Sequence, residues 1–197
     1  LFYHADIKGA FLTGKRMEVL RAIVEKKGRE AITVVTTMDA FLDGLPSKEE
    51  LYGNRIKIHA EEALDFQKLQ ENLSILGYER ENQVESPGQF AVRGGILDVF
   101  PLTEENPVRI ELWGDEVDSI RSFDVESQRS TENLQEIEIY PATENWKQME
   151  TESFLAYFPV KETILFLDEP VRLQESAEIV EKEYFHSLES REEAGIE

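Results

Sequence analysis

Five arginines in the middle of the chain are the residues whose types and spacing suggest chemistry. They are the only basic residues between positions 69 and 141, a segment that holds 16 acidic side chains and no lysine: Arg80, Arg93, Arg109, Arg121 and Arg129. The planar guanidinium pairs its donors with a carboxylate, and arginine is enriched at the centres of protein interfaces, whereas lysine mainly confers solubility. The pattern favours recognition of another protein, although five arginines could also arise by chance.

Residues 89–124, QFAVRGGILDVFPLTEENPVRIELWGDEVDSIRSFD, are predicted to form strands of a mostly antiparallel sheet. Apolar and polar residues alternate along the run, which is typical of strands with one face in the core and the other in water. Gly94-Gly95 indicates a bulge or a tight bend, and residues 103–107 a loop between strands. The alternation predicts inward side chains at Phe90, Val92, Val108, Ile110, Leu112, Ile137 and Ile139, and outward ones at Ala91, Arg93, Arg109, Glu111, Trp113, Glu136, Glu138 and Tyr140.

No combination of nucleophile, base and orienting group is apparent in the sequence. The three histidines lie far apart and lack the spacing of metal-ligating pairs: His4, His59 and His186. Asp98 and Glu111 could form the carboxylate pair of an acidic hydrolase, a third and weaker option. Asp168-Glu169 follows a predicted strand, where ATPases hold magnesium, but no GxxxxGK[ST] loop occurs with it. The chain is therefore predicted to have no enzyme activity, cofactor or metal site of its own.

The net charge of −20 and its distribution limit the partners of the chain. Residues 1–68 hold 11 acidic and 11 basic side chains, whereas residues 142–197 hold 14 acidic and five basic ones. Such a surface repels phosphate backbones, so direct binding of nucleic acid is not expected. Cysteine is absent, and no apolar run approaches the ~20 residues of a membrane span, so a cytoplasmic protein without membrane contact is expected. The first residue, Leu1, suggests a fragment of a longer protein.

The segments that flank the sheet are predicted to contain helices and buried strands. Residues 31–36 (AITVVT) and 163–167 (TILFL) have the composition of buried parallel strands, and residues 55–58 (RIKI) of another short strand. Four helices are predicted: one capped by Thr13 that buries Met17, Leu20, Ile23 and Val24 and ends near Gly28, a short one at Asp39–Leu42, one over Glu61–Leu76 that buries Leu69, Leu73 and Leu76 before Gly77, and a charged one over Leu173–Leu188.

These elements predict an α/β protein, α+β overall, in which an interrupted α/β domain carries an inserted β module. The α/β domain is assigned to residues 1–68 and 142–197, and the insert to residues 69–141. A strand followed by a short helix is the pattern of a parallel sheet, whereas the alternation within the insert predicts a mostly antiparallel one.

The run FAVRGGILDVFP, followed by VRIELWGDEVDSIRSFD and QRS, resembles the inserted interaction domain shared by the repair helicase UvrB and the bacterial transcription-repair coupling factors (Mfd). The runs LFYHADIKGAFLTGKRMEVLRAIV, ITVVTTMDAFLDGLP and LAYFPVKETILFLDEPVRLQE resemble the flanking domain of the coupling factors, so the resemblance covers nearly the whole chain. Pro170 and Val171 follow Glu169 in place of the serine and histidine of a UvrB box, and Ala91 stands where UvrB has an arginine. Both departures favour the coupling factors.

The resemblance implies an incomplete P-loop-like domain without a working ATP site, interrupted by a domain that docks onto the repair protein UvrA. The parent protein would be an ATP-dependent DNA translocase, with ATP and magnesium bound outside this chain, that recruits nucleotide excision repair to stalled transcription. Contact between the docking surface and the parent's own C-terminal part is also implied. Carried over from the motif, the UvrA-binding residues are Arg80, Phe90, Arg93, Arg109 and Glu111.

Two alternatives stay open from the sequence. Arg93 and Arg109 could simply pair with Glu111 or Asp98 across the sheet, at about 0.2–1 kcal/mol each. The chain could also be a fragment of an active UvrB-type DNA repair helicase, with its ATP site completed by residues upstream of Leu1.

Overall fold

The computed structural model describes residues 10–25, 31–142 and 151–193 of the 197-residue chain. The chain divides into two compact units. We call the first the sheet unit, which comprises Lys8–Glu25 and Glu49–Asn145, and the second the helix unit, which comprises Leu1–Ile7, Lys26–Lys48 and Trp146–Glu197. The domain boundaries near residues 69 and 141 stay a prediction.

The described residues form short strands and helices, the longest of which lies near the end of the chain. In chain order the elements are α1 (Ala10–Val24), α2 (Met38–Leu42), β1 (Leu45–Pro46), α3 (Lys48–Gly53), β2 (Ile56–His59), α4 (Phe66–Ile75), β3 (Glu79–Arg80), β4 (Gln89–Arg93), β5 (Ile96–Val99), β6 (Val108–Trp113), β7 (Glu116–Phe123), β8 (Ser130–Leu134), β9 (Glu136–Ile139), β10 (Thr151–Glu152), two 3-10 turns (Phe154–Tyr157 and Val160–Glu162) and α5 (Pro170–Glu193).

Six strands form the main sheet of the sheet unit, in the order β3-β4-β5-β6-β7-β8. β4 to β8 are antiparallel neighbours, while β3, only two residues long, pairs in parallel with β4 at one edge. β8 forms the other edge with mostly exposed side chains. Gly94-Gly95 connects β4 to β5 in a tight turn, as predicted, and Gly94 adopts φ +61° there, a value that glycine tolerates. The predicted α/β (α+β) class with a mostly antiparallel sheet is confirmed.

One face of the main sheet packs on α4 and on the separate antiparallel pair of β2 and β9. The strand at residues 56–59 confirms the short strand predicted at 55–58. Alternate residues of the sheet meet Leu69 and Leu73 of α4, as their spacing predicts. The buried sheet residues are Phe90, Leu97, Val99, Val108, Ile110, Val117 and Ile120, with Ile58, Ile137 and Ile139 from the β2–β9 pair.

Helix α1 belongs to the sheet unit and buries Met17, Leu20 and Ile23 on one stripe, as predicted, whereas Val24, predicted on the same stripe, is only partly buried. The predicted cap at Thr13 is wrong, because the helix begins at Ala10 and Thr13 lies buried inside it. A Cβ at Gly14 would lie 2.9 Å from the carbonyl oxygen of Leu102, so the helix approaches the chain after β5 too closely for a side chain. The predicted end near Gly28 falls outside the described residues.

Helix α4 begins at Phe66 rather than at the predicted Glu61. Asp65 is its N-cap and accepts a hydrogen bond from the Lys68 amide at 2.9 Å. Glu61 has φ +64°, and the chain that follows it pairs with the β6–β7 hairpin, which explains the later start. Gly77 was predicted to cap the end of this helix; the C-cap is Leu76, and Gly77 follows it with φ +85°.

Two predicted buried strands are absent from the described structure. Residues 31–36 and 163–167 form no strand, and most of their side chains are exposed, including Ile164 and Phe166. A parallel strand is buried only when hydrogen-bonded strands flank it and helices cover its faces, and no described strand pairs with either run.

The helix unit contains the predicted turn at α2 and the predicted charged helix at α5, which begins at Pro170 and is longer than expected. Its described aromatic contacts centre on Phe154, which lies edge-on to Phe41 and Phe158. Tyr157 is buried and donates a hydrogen bond to the Pro46 carbonyl at 2.6 Å. Among the described helices of the chain, none is both long enough and apolar enough to span a bilayer.

Candidate protein-interaction surface

Asp98 lies at the centre of the face of the main sheet that is turned away from α4. Its position on β5 is opposite Ala91 of β4 and Arg109 of β6. Only 1% of the residue is exposed, yet its carboxylate accepts hydrogen bonds from two arginines. A buried carboxylate is stable only when it is paired and hydrogen-bonded, so the two arginines are what makes an aspartate tolerable there.

Arg109 is the inner of these two arginines. Its Nε lies 2.6 Å from Oδ1 of Asp98 and its Nη2 lies 2.9 Å from Oδ2, a bidentate arrangement. Its guanidinium carbon lies 4.6 Å from the ring centroid of Phe123, within range of a cation–π contact. The hydrogen bond to Asp98 raises the pKa of Arg109 further. Only 16% of the Arg109 side chain is exposed, so its main role is to stabilise the fold.

Arg93 is the outer arginine and half of its side chain is exposed. Its Nη2 donates to Oδ2 of Asp98 at 2.6 Å, and the rest of the guanidinium faces solvent. One end of Arg93 is therefore fixed by a buried charge, while the other end can meet a partner. Because fixing a long side chain in advance lowers the entropy cost of binding, this geometry suits an interface anchor.

A second ion pair extends the same face toward β7. Arg121 donates through Nη2 to Oε1 of Glu111, and both side chains are about one-third exposed. Ser119 adds a long hydrogen bond of 3.5 Å to Oε2 of Glu111. Nε of Arg121 is buried with no hydrogen-bond partner among the described residues. Arg121 lies opposite Arg109 in the register, which brings three arginines and two carboxylates onto one patch.

We call this patch the arginine face, defined by Arg93, Asp98, Arg109, Glu111 and Arg121. The structure brings together three of the predicted binding residues: Arg93, Arg109 and Glu111. The alternative that Arg93 and Arg109 pair with Asp98 across the sheet is confirmed. The predicted site residues did not include Arg121, although it occupies an outward position on the strand next to that of Arg109.

The other two predicted binding residues lie apart from this patch. Phe90 is buried in the core beneath the opposite face, in agreement with its predicted inward position. Arg80 is exposed on edge strand β3, where the register places it beside Phe90, and no described hydrogen bond joins it to the arginine face. Their role in binding stays a prediction.

Ala91 is not exposed as its outward position predicts. It is buried in a small apolar cluster with Val84 and Phe100, and Val125 packs against the same cluster. The loop after β3 and the residues that follow β5 and β7 therefore cover this end of the outer face. Tyr140 departs from the alternation in the same way. It is buried, and its hydroxyl donates to Glu25 of the chain after α1 at 2.8 Å.

Comparison with known proteins identifies the part of the chain that carries this face. A family model described as the UvrB interaction domain matches residues 56–145. Over 133 residues the chain is 42% identical to a transcription-repair-coupling factor of Bacillus subtilis and 37% and 36% identical to those of two Staphylococcus aureus strains. These matches cover 68% of this chain but 11% of each relative.

The matched family model contains all five strands that build the arginine face and its edges, from β4 to β8, together with the β2–β9 pair and α4. The similarity and the fold thus describe the same region. Residues 56–145 therefore form a domain of the UvrB interaction family, and the relatives that the chain matches are transcription-repair-coupling factors.

Proposed function

We propose that this chain is a non-enzymatic recognition module that binds UvrA through the arginine face. In a longer parent protein, a DNA translocase that uses ATP and magnesium elsewhere, this binding would recruit nucleotide excision repair to stalled transcription. Such a module works in the cytoplasm. The observation that carries the proposal is the buried Asp98, which holds Arg93 and Arg109 at the surface of the sheet.

The charges on the arginine face support an acidic partner site. Three guanidinium groups and two carboxylates give it one excess positive charge, in a segment that is otherwise strongly acidic. A partner carboxylate that reaches the exposed side of Arg93 would form a charge-assisted hydrogen bond, worth about 1.5–3 kcal/mol. Arg109 would act mainly by fixing Asp98 and, through it, Arg93.

The same pairs argue against use of Asp98 and Glu111 as a hydrolytic acid and base. Two arginines occupy both oxygens of Asp98, and its burial denies access to a substrate. Glu111 is bound to Arg121. A general acid or base must reach the proton that it transfers, whereas both of these carboxylates are engaged by arginines.

Calorimetric titration of the chain with purified UvrA tests the proposal. Arg93→Ala should weaken binding by about tenfold, the equivalent of one lost charged contact. Arg172→Ala is the matched control, because it removes an exposed arginine of the helix unit whose ion pair within the described residues is with Glu169, three positions earlier. Equal affinity of the Arg93 variant and the wild type would overturn the assignment of the arginine face to UvrA.

A further inference from the structure

The tip of the β6–β7 hairpin carries a second surface with different chemistry. Trp113 ends β6 and is 85% exposed, an unusual state for the largest aromatic side chain. Gly114 follows it with φ +64°, which allows the chain to turn directly into β7. Trp113 and Arg109 lie four residues apart on one strand, about 13 Å along it. Glu111 of the arginine face lies two residues from Trp113, about 7 Å along the strand, so the indole adjoins that end of the face but shares no residue with it.

A concave surface of about 440 Å³ adjoins the indole. It is lined by Trp113 and Ala63 and by three carboxylates, those of Glu61, Asp115 and Glu116. The concavity is shallow and largely open to solvent, so it suits a side chain that lies across the indole rather than an enclosed ligand. An apolar wall beside several negative charges is an arrangement that can bind and orient a cationic side chain.

The walls are held in place by main-chain hydrogen bonds rather than by their own side chains. The amide of Glu61 donates to the Val117 carbonyl at 2.8 Å, and the amide of Leu64 donates to the Asp115 carbonyl at 2.7 Å. Ala63 forms an isolated antiparallel bridge with Glu116. The segment before α4 is thereby fixed as an extra strand beside the hairpin. The pocket is preorganised, which favours binding.

The three carboxylates have no opposing charge of their own. Within the described residues, the side chains of Glu61, Asp115 and Glu116 form no ion pair or hydrogen bond. Glu136, by contrast, is neutralised by Lys57, whose Nζ lies 2.9 Å from its Oε2. Three unpaired negative charges around one indole attract a cation, and the face of tryptophan is the strongest aromatic partner for arginine or lysine.

We propose that the Trp113 pocket, defined by Glu61, Ala63, Trp113, Asp115 and Glu116, binds a basic segment of a protein partner, with an arginine or lysine stacked on the indole. Nucleic acid does not fit, because its phosphates would meet three carboxylates. A second copy of the chain has the same net charge of −20, so general repulsion opposes self-association. A basic peptide complements both the charge and the aromatic wall.

Tryptophan fluorescence tests this directly in a Trp146→Phe background, where Trp113 is the only indole. The probe is a short peptide of alternating arginine and glycine, and its control is the same peptide with neutral citrulline in place of arginine. The arginine peptide should change the Trp113 emission in a saturable way, and the citrulline peptide should not. Equal responses to both peptides would overturn the proposal.

General attraction to an acidic protein is separated from the pocket by a charge-matched pair of variants. The pocket variant Glu61→Gln, Asp115→Asn, Glu116→Gln should weaken binding of the arginine peptide at least about tenfold. The control variant Glu175→Gln, Glu181→Gln, Glu189→Gln removes the same charge from exposed positions of α5 and should change affinity less than twofold. Equal losses in the two variants would show attraction by net charge alone and refute the pocket.

Calorimetry with Trp113→Ala isolates the aromatic wall, because this variant keeps every carboxylate. Its affinity for the arginine peptide should fall about threefold to tenfold, and unchanged affinity would refute stacking. Arg93→Ala should bind the peptide like the wild type, so this result is independent of the UvrA titration. Sedimentation at rising concentration completes the test, since self-association lost in the pocket variant would replace the basic partner with a second copy.

Discussion

Arg109 donates two hydrogen bonds to the carboxylate of Asp98, from Nε to Oδ1 at 2.6 Å and from Nη2 to Oδ2 at 2.9 Å. This pair is the one that the sequence offered as an alternative to a free docking surface. Asp98 is not a free acid, and Arg109 is not a free surface arginine. Arg109 holds the Asp98 carboxylate in place, and the more exposed Arg93 binds to that carboxylate.

Asp98→Asn is expected to destabilise the sheet unit. The amide keeps the shape of the side chain but loses the charge, so Arg109 and Arg93 lose their charged partner at a buried position. We expect the free energy of unfolding to fall by roughly 1–3 kcal/mol, as measured by urea denaturation. The control is Asp118→Asn, at an exposed position of β7, which should change the free energy of unfolding by less than about 0.5 kcal/mol. A similar effect of both changes would contradict the central role of Asp98.

Arg93→Ala and Arg109→Ala are expected to separate binding from stability. Arg109→Ala removes the bidentate pair and the contact with Phe123, and it should lower the free energy of unfolding by about 2–3 kcal/mol. Arg93→Ala should lower it by less than about 1 kcal/mol, because its ion pair is half-exposed. Thermal unfolding followed by circular dichroism checks both values. The reverse order of the two losses would contradict the assignment of Arg93 as the outer contact.

Gly14→Ala is expected to destabilise the packing of α1. Alanine normally favours a helix by about 1 kcal/mol over glycine. Here its Cβ would lie 2.9 Å from the Leu102 carbonyl oxygen, so the helix must shift, at a cost of about 1–3 kcal/mol. Gly53→Ala in α3 meets no atom within 4 Å and should be neutral or slightly stabilising. Urea denaturation of both variants distinguishes the close approach from the general effect of helix propensity.

The hydrogen bond from Tyr140 to Glu25 is expected to matter less in acid. Burial raises the pKa of Glu25, but hydrogen bonds from Tyr140 and Arg21 outweigh it and leave the pKa below its ordinary value of 4.5. The carboxylate thus stabilises the fold above pH 4.5, and this contribution is lost as the pH falls through the lowered pKa of the folded state.

Tyr140→Phe should therefore lower the free energy of unfolding at pH 7 by about 1–2 kcal/mol, and the difference from the wild type should shrink as the pH falls through the lowered pKa of Glu25. Urea denaturation at a series of pH values measures the difference. Tyr52→Phe is the control, because its hydroxyl has no hydrogen bond among the described residues. A difference for Tyr140→Phe that stays constant across the pH series would rule out a contribution from the charged carboxylate.

The strands of the main sheet could be predicted because apolar residues at every second position indicate a strand with one face buried in the core. Arg93 and Arg109 were correctly placed on the same outer face for that reason. The period does not report what covers that face, so the burial of Ala91 by Val84 and Phe100 was missed. Tyr140 was missed likewise, since its partner Glu25 is 115 residues away.

The two predicted parallel strands failed for a complementary reason. A β-branched run such as AITVVT has the composition of a buried strand, but a strand also needs neighbours that supply hydrogen bonds and cover. Residues 31–36 and 163–167 have no such neighbours in the described structure and form no strand, with most of their side chains exposed. Composition thus indicated the preference of these residues, and tertiary context decided the outcome.

The two edge strands of the main sheet limit how a partner can attach. β3 offers only two residues of backbone, and β8 is polar and includes Glu132. Short or charged edge strands disfavour the addition of a further strand from another chain. Strand addition relies on main-chain hydrogen bonds that depend little on ionic strength, whereas side-chain recognition across a face depends on it strongly. Attachment to this molecule should therefore weaken steadily as salt is raised.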